Sequence, residues 1–151
     1  IGVIINISFL ILNAIGFILP ALVLEPISEK LGRVKTHVIA LAFMAVGYWA
    51  IVFMGVAPVY LYIFMGICGI GWAAIVSLPF AIMSEQVDKT RMGLFMGLFN
   101  LSVVLPQLIV SLGVGSIVEA AASKDVIFII SGSTLALSAF LWIFVKENKN
   151  S

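Results

Sequence analysis

The placement of fifteen charged side chains constrains this chain more than any other feature. Eight Lys/Arg and seven Asp/Glu are spread over 151 residues, yet they fall in four clusters: five within 25–35, four within 85–91, three within 119–125 and three within 146–149. The runs between them, 1–24, 38–84, 92–118 and 126–145, hold 24, 47, 27 and 20 residues and no formal charge. Soluble domains carry roughly 25% charged residues. Here the charged share is 10% and the hydrophobic share 63%, too little polar side chain to cover a surface in water. High hydrophobicity also excludes disorder. The single cysteine, Cys68, excludes a disulfide scaffold. A net charge of +1 gives no electrostatic footprint for nucleic acid. What remains is an all-α integral membrane protein.

A membrane-crossing helix needs about 20 mostly apolar residues. The runs 1–24, 92–118 and 126–145 each supply one, and the 47-residue run supplies two. Gly55-Val56-Ala57-Pro58 divides that long run, because Gly and Pro favour a turn and Pro can open the next helix. Five helices are expected, at about 1–24, 37–55, 58–83, 92–118 and 125–146. Period-two alternation is absent, which argues against a barrel. Interior Pro20, Pro79 and Pro106 are tolerated in membrane helices, where neighbours satisfy the freed carbonyls.

Five spans place the termini on opposite sides. Lys30, Arg33, Lys35, Lys89, Arg91, Lys146 and Lys149 then share one side, against Lys124 alone on the other. That asymmetry predicts a cytoplasmic C-terminus. Tyr60, Tyr62 and Trp142 fall near the expected interfaces. The chain opens inside an apolar helix with no charged leader, so it is expected to be a piece of a longer polytopic protein.

The first charged loop reads Ile27-Ser28-Glu29-Lys30-Leu31-Gly32-Arg33-Val34-Lys35. An acid followed by a basic residue, a Gly and further basic residues resembles the loop signature of the major facilitator superfamily. Glu29 stands where Asp is more usual, and Glu25 where the pattern has Gly. Gly32 permits a tight turn. Glu29 can accept from Arg33 or sit at a neighbouring helix N-terminus. Glu29, Lys30, Gly32 and Arg33 are therefore candidate gating-loop residues, able to latch one conformation and release in the other. The competing role is a solvated loop that only sets orientation.

The fourth expected helix carries the most specific segment. At helical spacing Gly93, Gly97, Asn100, Val104, Gln107, Ser111 and Gly115 share one stripe, in a background of Leu, Phe, Met, Ile and Val. Small and polar residues on an oily helix face protein or water rather than lipid. Pro106 cannot donate to Ser102, which leaves that carbonyl free. Gly2, Asn6, Phe9, Asn13, Gly16 and Pro20 form a stripe of the same kind on the first helix. On the third, Gly66, Gly69 and Gly71 beside Trp72 allow another helix to approach closely, and Trp72 offers a flat face with one N–H donor.

The segment 92–107, together with Gly69-Ile70-Gly71-Trp72-Ala73-Ala74 and Ser77-Leu78-Pro79-Phe80-Ala81, resembles the sucrose/maltose:proton symporter branch of that superfamily, which is related to the glycoside–pentoside–hexuronide:cation symporters. The branch has a similar Gly-x-x-x-Gly-x-x-Asn run ending in Pro-Gln in its eleventh helix. The resemblance implies that the five helices are the eighth to twelfth of twelve, with the N-terminal half absent. It implies a secondary transporter of a small neutral solute, a sugar or glycoside such as a disaccharide, with a proton as the coupling cation. It places Asn13, Trp72, Asn100 and Gln107 along the substrate cavity; for each amide the competing role is a bridge between helices. The expected partners are the solute, the coupling cation, the lipid bilayer and the missing half of the chain.

Ser131, Ser133, Thr134 and Ser138 are expected to pack, Cys68 to be small and buried, and His37 to be neither ligand nor proton carrier. Glu85, Asp88, Lys89 and Arg91 read as a solvated loop. Catalytic residues, metal ligands and cofactors are not expected: the chain has no Cys/His metal spacing, no phosphate-cradling loop and no nucleophile beside a base. No Asp, Glu, Lys or Arg lies in the interior of an expected span, away from its ends, so a coupling group would have to lie elsewhere in the full protein. Two rivals are a non-transport five-helix membrane module and a carrier of another solute in the same superfamily.

Overall fold

The computed structural model describes residues 2–146, and every element among them is helical. Lys149, counted above in the charge asymmetry, lies outside the described residues. In order, the elements are α1 (Gly2–Leu19), a π-helical turn (Pro20–Leu24), α2 (Glu25–Leu31), α3 (Arg33–Met54), α4 (Pro58–Gln86), a 3₁₀ turn (Lys89–Arg91), α5 (Met92–Ala120) and α6 (Val126–Trp142).

The first helix does not stop where charge begins. It runs on as one 30-residue rod from Gly2 to Leu31, about 45 Å at 1.5 Å per residue, against a hydrocarbon core of about 30 Å. Its last turns, with Glu25, Glu29 and Lys30, extend past the apolar layer as helix and not as loop. The π turn before Pro26 has a local cause. Pro26 cannot donate, and its ring clashes with the carbonyl four residues back. The Glu25 N–H bonds the Pro20 carbonyl instead, five residues away.

The expected 25–37 loop thus shrinks to one residue. Gly32 takes φ 91° and ψ 148° and its own N–H caps α2 by bonding the Ser28 carbonyl. Only glycine enters that conformation cheaply. The helix after it starts at Arg33, four residues before the expected start at 37. Ala57 is extended and Pro58 opens α4, whose missing N–H is one that has no partner in a first turn anyway. The fifth helix is shorter than expected. α6 ends at Trp142, where the chain tightens into i→i+3 bonds from Ile143, Phe144 and Val145 to Phe140, Leu141 and Trp142. Four helices are long and apolar enough to cross a membrane, and α6, with 17 residues, is a shorter apolar helix.

α4 lies between α1 and α3, and α6 packs on α3. Lipid is as apolar as leucine, so close packing must hold such helices together. The glycines of α4 provide it. A Cβ on Gly69 would lie 2.8 Å from Ile15 Cβ and 3.0 Å from the Leu12 carbonyl of α1; a Cβ on Gly71 would overlap Met44 and come 2.9 Å from the Ala40 carbonyl of α3. Leu12, Met44, Ile51, Met65 and Cys68 form one buried cluster, and Ala40, Ala73, Ala74 and Leu78 belong to another.

α5 behaves differently. It has no buried residue, and the space around Gly93, Gly97, Gly113 and Gly115 is open to 4 Å. It lies along none of the other helices; Phe99 meets the Phe80 ring of α4 at 6.4 Å, edge to face.

Candidate functional site

Two of the four charge clusters and Lys146 of a third come together at one end of the bundle. Arg33 at the start of α3 pairs with Glu85 at the end of α4, Nη1 to Oε1 2.7 Å. The Gln86 side chain donates to the Lys146 carbonyl at 3.4 Å. His37 lies edge-on to Trp142, ring centres 4.6 Å apart. At the opposite end Ile4 and the 55–58 turn line one small recess, and Tyr48 of α3 meets Phe128 of α6. Lys124 there donates to the Val118 carbonyl at 2.8 Å.

The pairing inside the first charged segment differs from expectation. Arg33 reaches across to Glu85 on another helix and not back to Glu29. Glu29 and Lys30 are exposed on α2. The reason is Gly32: its positive φ breaks the helix between residues 29 and 33, so they do not stand one turn apart on a continuous rod. The ion pair is partly exposed, 34% at Arg33 and 56% at Glu85, so it contributes at most about 1 kcal/mol to stability. Beyond α4, Asp88 caps the 3₁₀ turn, accepting from the Thr90 N–H and from its hydroxyl, both at 2.9 Å. Those two donors hold the Asp88 carboxyl below its ordinary range.

The candidate cavity residues are not gathered in one place. Asn13 is exposed on α1, and its amide donates to the Phe9 carbonyl at 2.8 Å. Trp72 of α4 is 36% exposed and rests against Gly16, where a Cβ would lie 2.5 Å from the ring. Gly16 is one turn beyond Asn13, yet Gly16 is buried and Asn13 is exposed, so the amide does not share the seam in which the indole sits. Asn100 and Gln107 are exposed on α5, away from that seam. α5 stays helical through Pro106, with the Ser102 hydroxyl bonded to the Phe99 carbonyl at 2.7 Å.

The residues of the stripe expected on α1 divide between the two sides of that helix. Its buried side is Ser8, Leu12 and Gly16, while Asn6, Phe9 and Asn13 point away from the other helices. Ile15 and Leu12 are the residues that fit the glycines of α4, and that fit outweighs the polar pattern.

His37 was not expected inside the fold. It is 2% exposed, and its Nδ1 has no hydrogen-bond partner among the described residues. The signal was available, since Ala40, Leu41 and Met44, the residues three, four and seven further on, are buried on the same face. It was hidden by placing the helix start at 37. Among the described residues no group of His, Cys, Asp and Glu has the arrangement to hold a metal ion.

Long apolar helices packed through glycines, with charge gathered at their ends, define a polytopic helical membrane protein. The family model of the Major Facilitator Superfamily matches residues 3–151, and the chain belongs to that family. No match was found among curated proteins or among solved structures.

Proposed function

We propose that this chain contributes the eighth to twelfth helices of a transporter that moves a small neutral solute, a sugar or glycoside such as a disaccharide, by proton symport. Membership of the superfamily carries the coarser part, a secondary transporter of some solute. Two observations support the finer part. Asn13, Asn100 and Gln107 offer amide donors and acceptors, and Trp72 offers a half-covered indole face, on helices whose apolar runs hold no formal charge. A sugar needs that combination, because its hydroxyls both donate and accept while its C–H faces stack on aromatics. The order of the motifs along α4 and α5 supports the numbering of the helices. Alternating access would rock this bundle against the other half around a midplane site.

The charged end supports an orientation with the C-terminus in the cytoplasm, since the described cations other than Lys124 lie in the clusters that meet there. There the Arg33–Glu85 pair ties α3 to α4 and would latch one state. Arg33→Glu in the full-length protein is expected to slow transport about tenfold with little change in melting temperature, and the double reversal Arg33→Glu/Glu85→Arg to recover most of it. A double variant as slow as the single one would remove the latch.

The substrate is tested by uptake of labelled maltose and sucrose into cells expressing the full-length protein, with and without a proton uncoupler. Accumulation of at least one of them, collapsed by the uncoupler, is the expected result. No uptake of any glycoside would overturn the substrate class, and accumulation indifferent to the uncoupler would overturn proton coupling.

A further inference from the structure

The largest cavity described is not on the Gly16–Trp72 seam. It has a volume of about 590 Å³ and opens at the charged end, between the start of α3 and the end of α6. Its walls are mostly aliphatic, with Leu31, Ile39, Ile143 and Val145 among them, and two cations complete it, Lys35 and Lys146. Among the described residues no carboxylate lines it. Arg33, the nearest other cation on α3, is engaged with Glu85.

The cavity has an apolar continuation. A second recess of about 310 Å³ shares Leu31 and Ile39 with it and proceeds past Ile27, Phe43 and Ile70. Phe43 is eight residues beyond Lys35 on α3, which places it about 12 Å deeper toward the membrane interior. Two cations thus stand at the mouth of a trench that becomes almost wholly apolar with depth. A soluble anion would use the mouth and leave the trench empty, and a neutral lipid would use the trench and leave the cations unmatched.

We propose that this is a binding site for an anionic phospholipid, with its phosphodiester headgroup between Lys35 and Lys146 and acyl chain along Leu31, Ile39 and Phe43. Basic pockets between membrane helices at the cytoplasmic side attract such headgroups, with about a fivefold gain in affinity per cation near the surface. The site depends on the membrane-spanning character of the chain and not on the identity of any transported solute, so failed glycoside uptake leaves it standing.

The test is competitive lipid retention by the purified full-length protein in a neutral detergent, counted by native mass spectrometry. Phosphatidylglycerol and phosphatidylcholine with the same acyl chains are offered in equal amount. The wild type is expected to retain phosphatidylglycerol at least tenfold better. Lys35→Gln and Lys146→Gln are each expected to lower that preference about fivefold, and the Lys35→Arg/Lys146→Arg variant to keep it, which separates charge from misfolding. Lys30→Gln removes an exposed cation at the same end but outside the cavity wall, and is expected to leave the lipid preference unchanged. Equal retention of the two lipids by the wild type, or an unchanged preference in the two Gln variants, would overturn the site. So would an equal loss in Lys30→Gln, which would indicate a diffuse basic surface. Displacement of the lipid by an equal concentration of inorganic phosphate would reassign the mouth to a soluble anion.

Discussion

Replacing Gly71 by alanine is expected to lower the melting temperature of the purified protein clearly, and replacing it by leucine to abolish monodisperse protein. The alanine methyl would overlap Met44 and lie 2.9 Å from the Ala40 carbonyl oxygen. Of the Met44 atoms in the way, the Sδ can rotate aside, but the Cβ, the nearest of them, is held by the backbone of α3. The Ala40 carbonyl belongs to the backbone of α3 and moves only if that helix moves. Overpacking of this kind costs about 1–3 kcal/mol for small additions, and leucine adds three further carbons at a contact with no room for one. The internal control is Gly93→Ala on α5, where a Cβ meets nothing within 4 Å. There alanine is expected to leave the melting temperature unchanged or raise it slightly, since glycine is the poorer helix former by about 1 kcal/mol. Melting followed by size-exclusion chromatography after heating reads both. A Gly71→Ala protein as stable as the wild type would show that α3 and α4 do not meet through this glycine.

The second large effect concerns α5. Asn100→Leu and Gln107→Leu are each expected to weaken the apparent affinity of the full-length transporter for its solute about tenfold, with expression and melting temperature unchanged. The magnitude follows from losing one or two hydrogen bonds to a neutral ligand, at about 0.5–1.5 kcal/mol each. The stability half of the prediction rests on the fold: no residue of α5 is buried and both amides are exposed, so neither change opens a cavity among the described helices. Initial uptake rates across a range of solute concentrations separate affinity from turnover. Unchanged affinity in both variants would make these amides helix bridges, and a fall in melting temperature would place them in a packing interface.

Much of the architecture was legible because it follows from simple counting. Uncharged runs marked the spans, Gly55 and Pro58 marked the turn within the longest of them, and the glycines of 66–71 marked the helix that others approach closely. Gly32 was correctly read as the turn-making residue, and φ 91° is the reason. Errors arose where charge was taken as the boundary of helix. Glu25, Glu29 and Lys30 are helical because a helix satisfies its own backbone whether its side chains are charged or not, and a rod longer than the hydrocarbon core simply emerges from it. The same assumption delayed the start of α3 and concealed the burial of His37. The polar stripe on α1 is a different matter. Periodicity shows which residues share a face but not which face is covered, and the shape match of Leu12 and Ile15 to Gly66 and Gly69 decided that.

By itself the sequence determined that this chain is helical and belongs in a membrane, because no other solvent accepts uncharged apolar runs of 20 to 47 residues. It also determined which residues could turn, and which could admit a neighbouring helix. Tertiary structure alone decided that Arg33 meets Glu85, that Trp72 leans on Gly16, that α5 stands apart from Asn13, and that Lys35 and Lys146 share one cavity. These pairs are separated by between 52 and 111 positions in the chain where they meet. Local spacing fixes only neighbours three or four residues apart on one helix. Which helices lie side by side depends on the packing of whole faces, and that is a property of the assembled bundle.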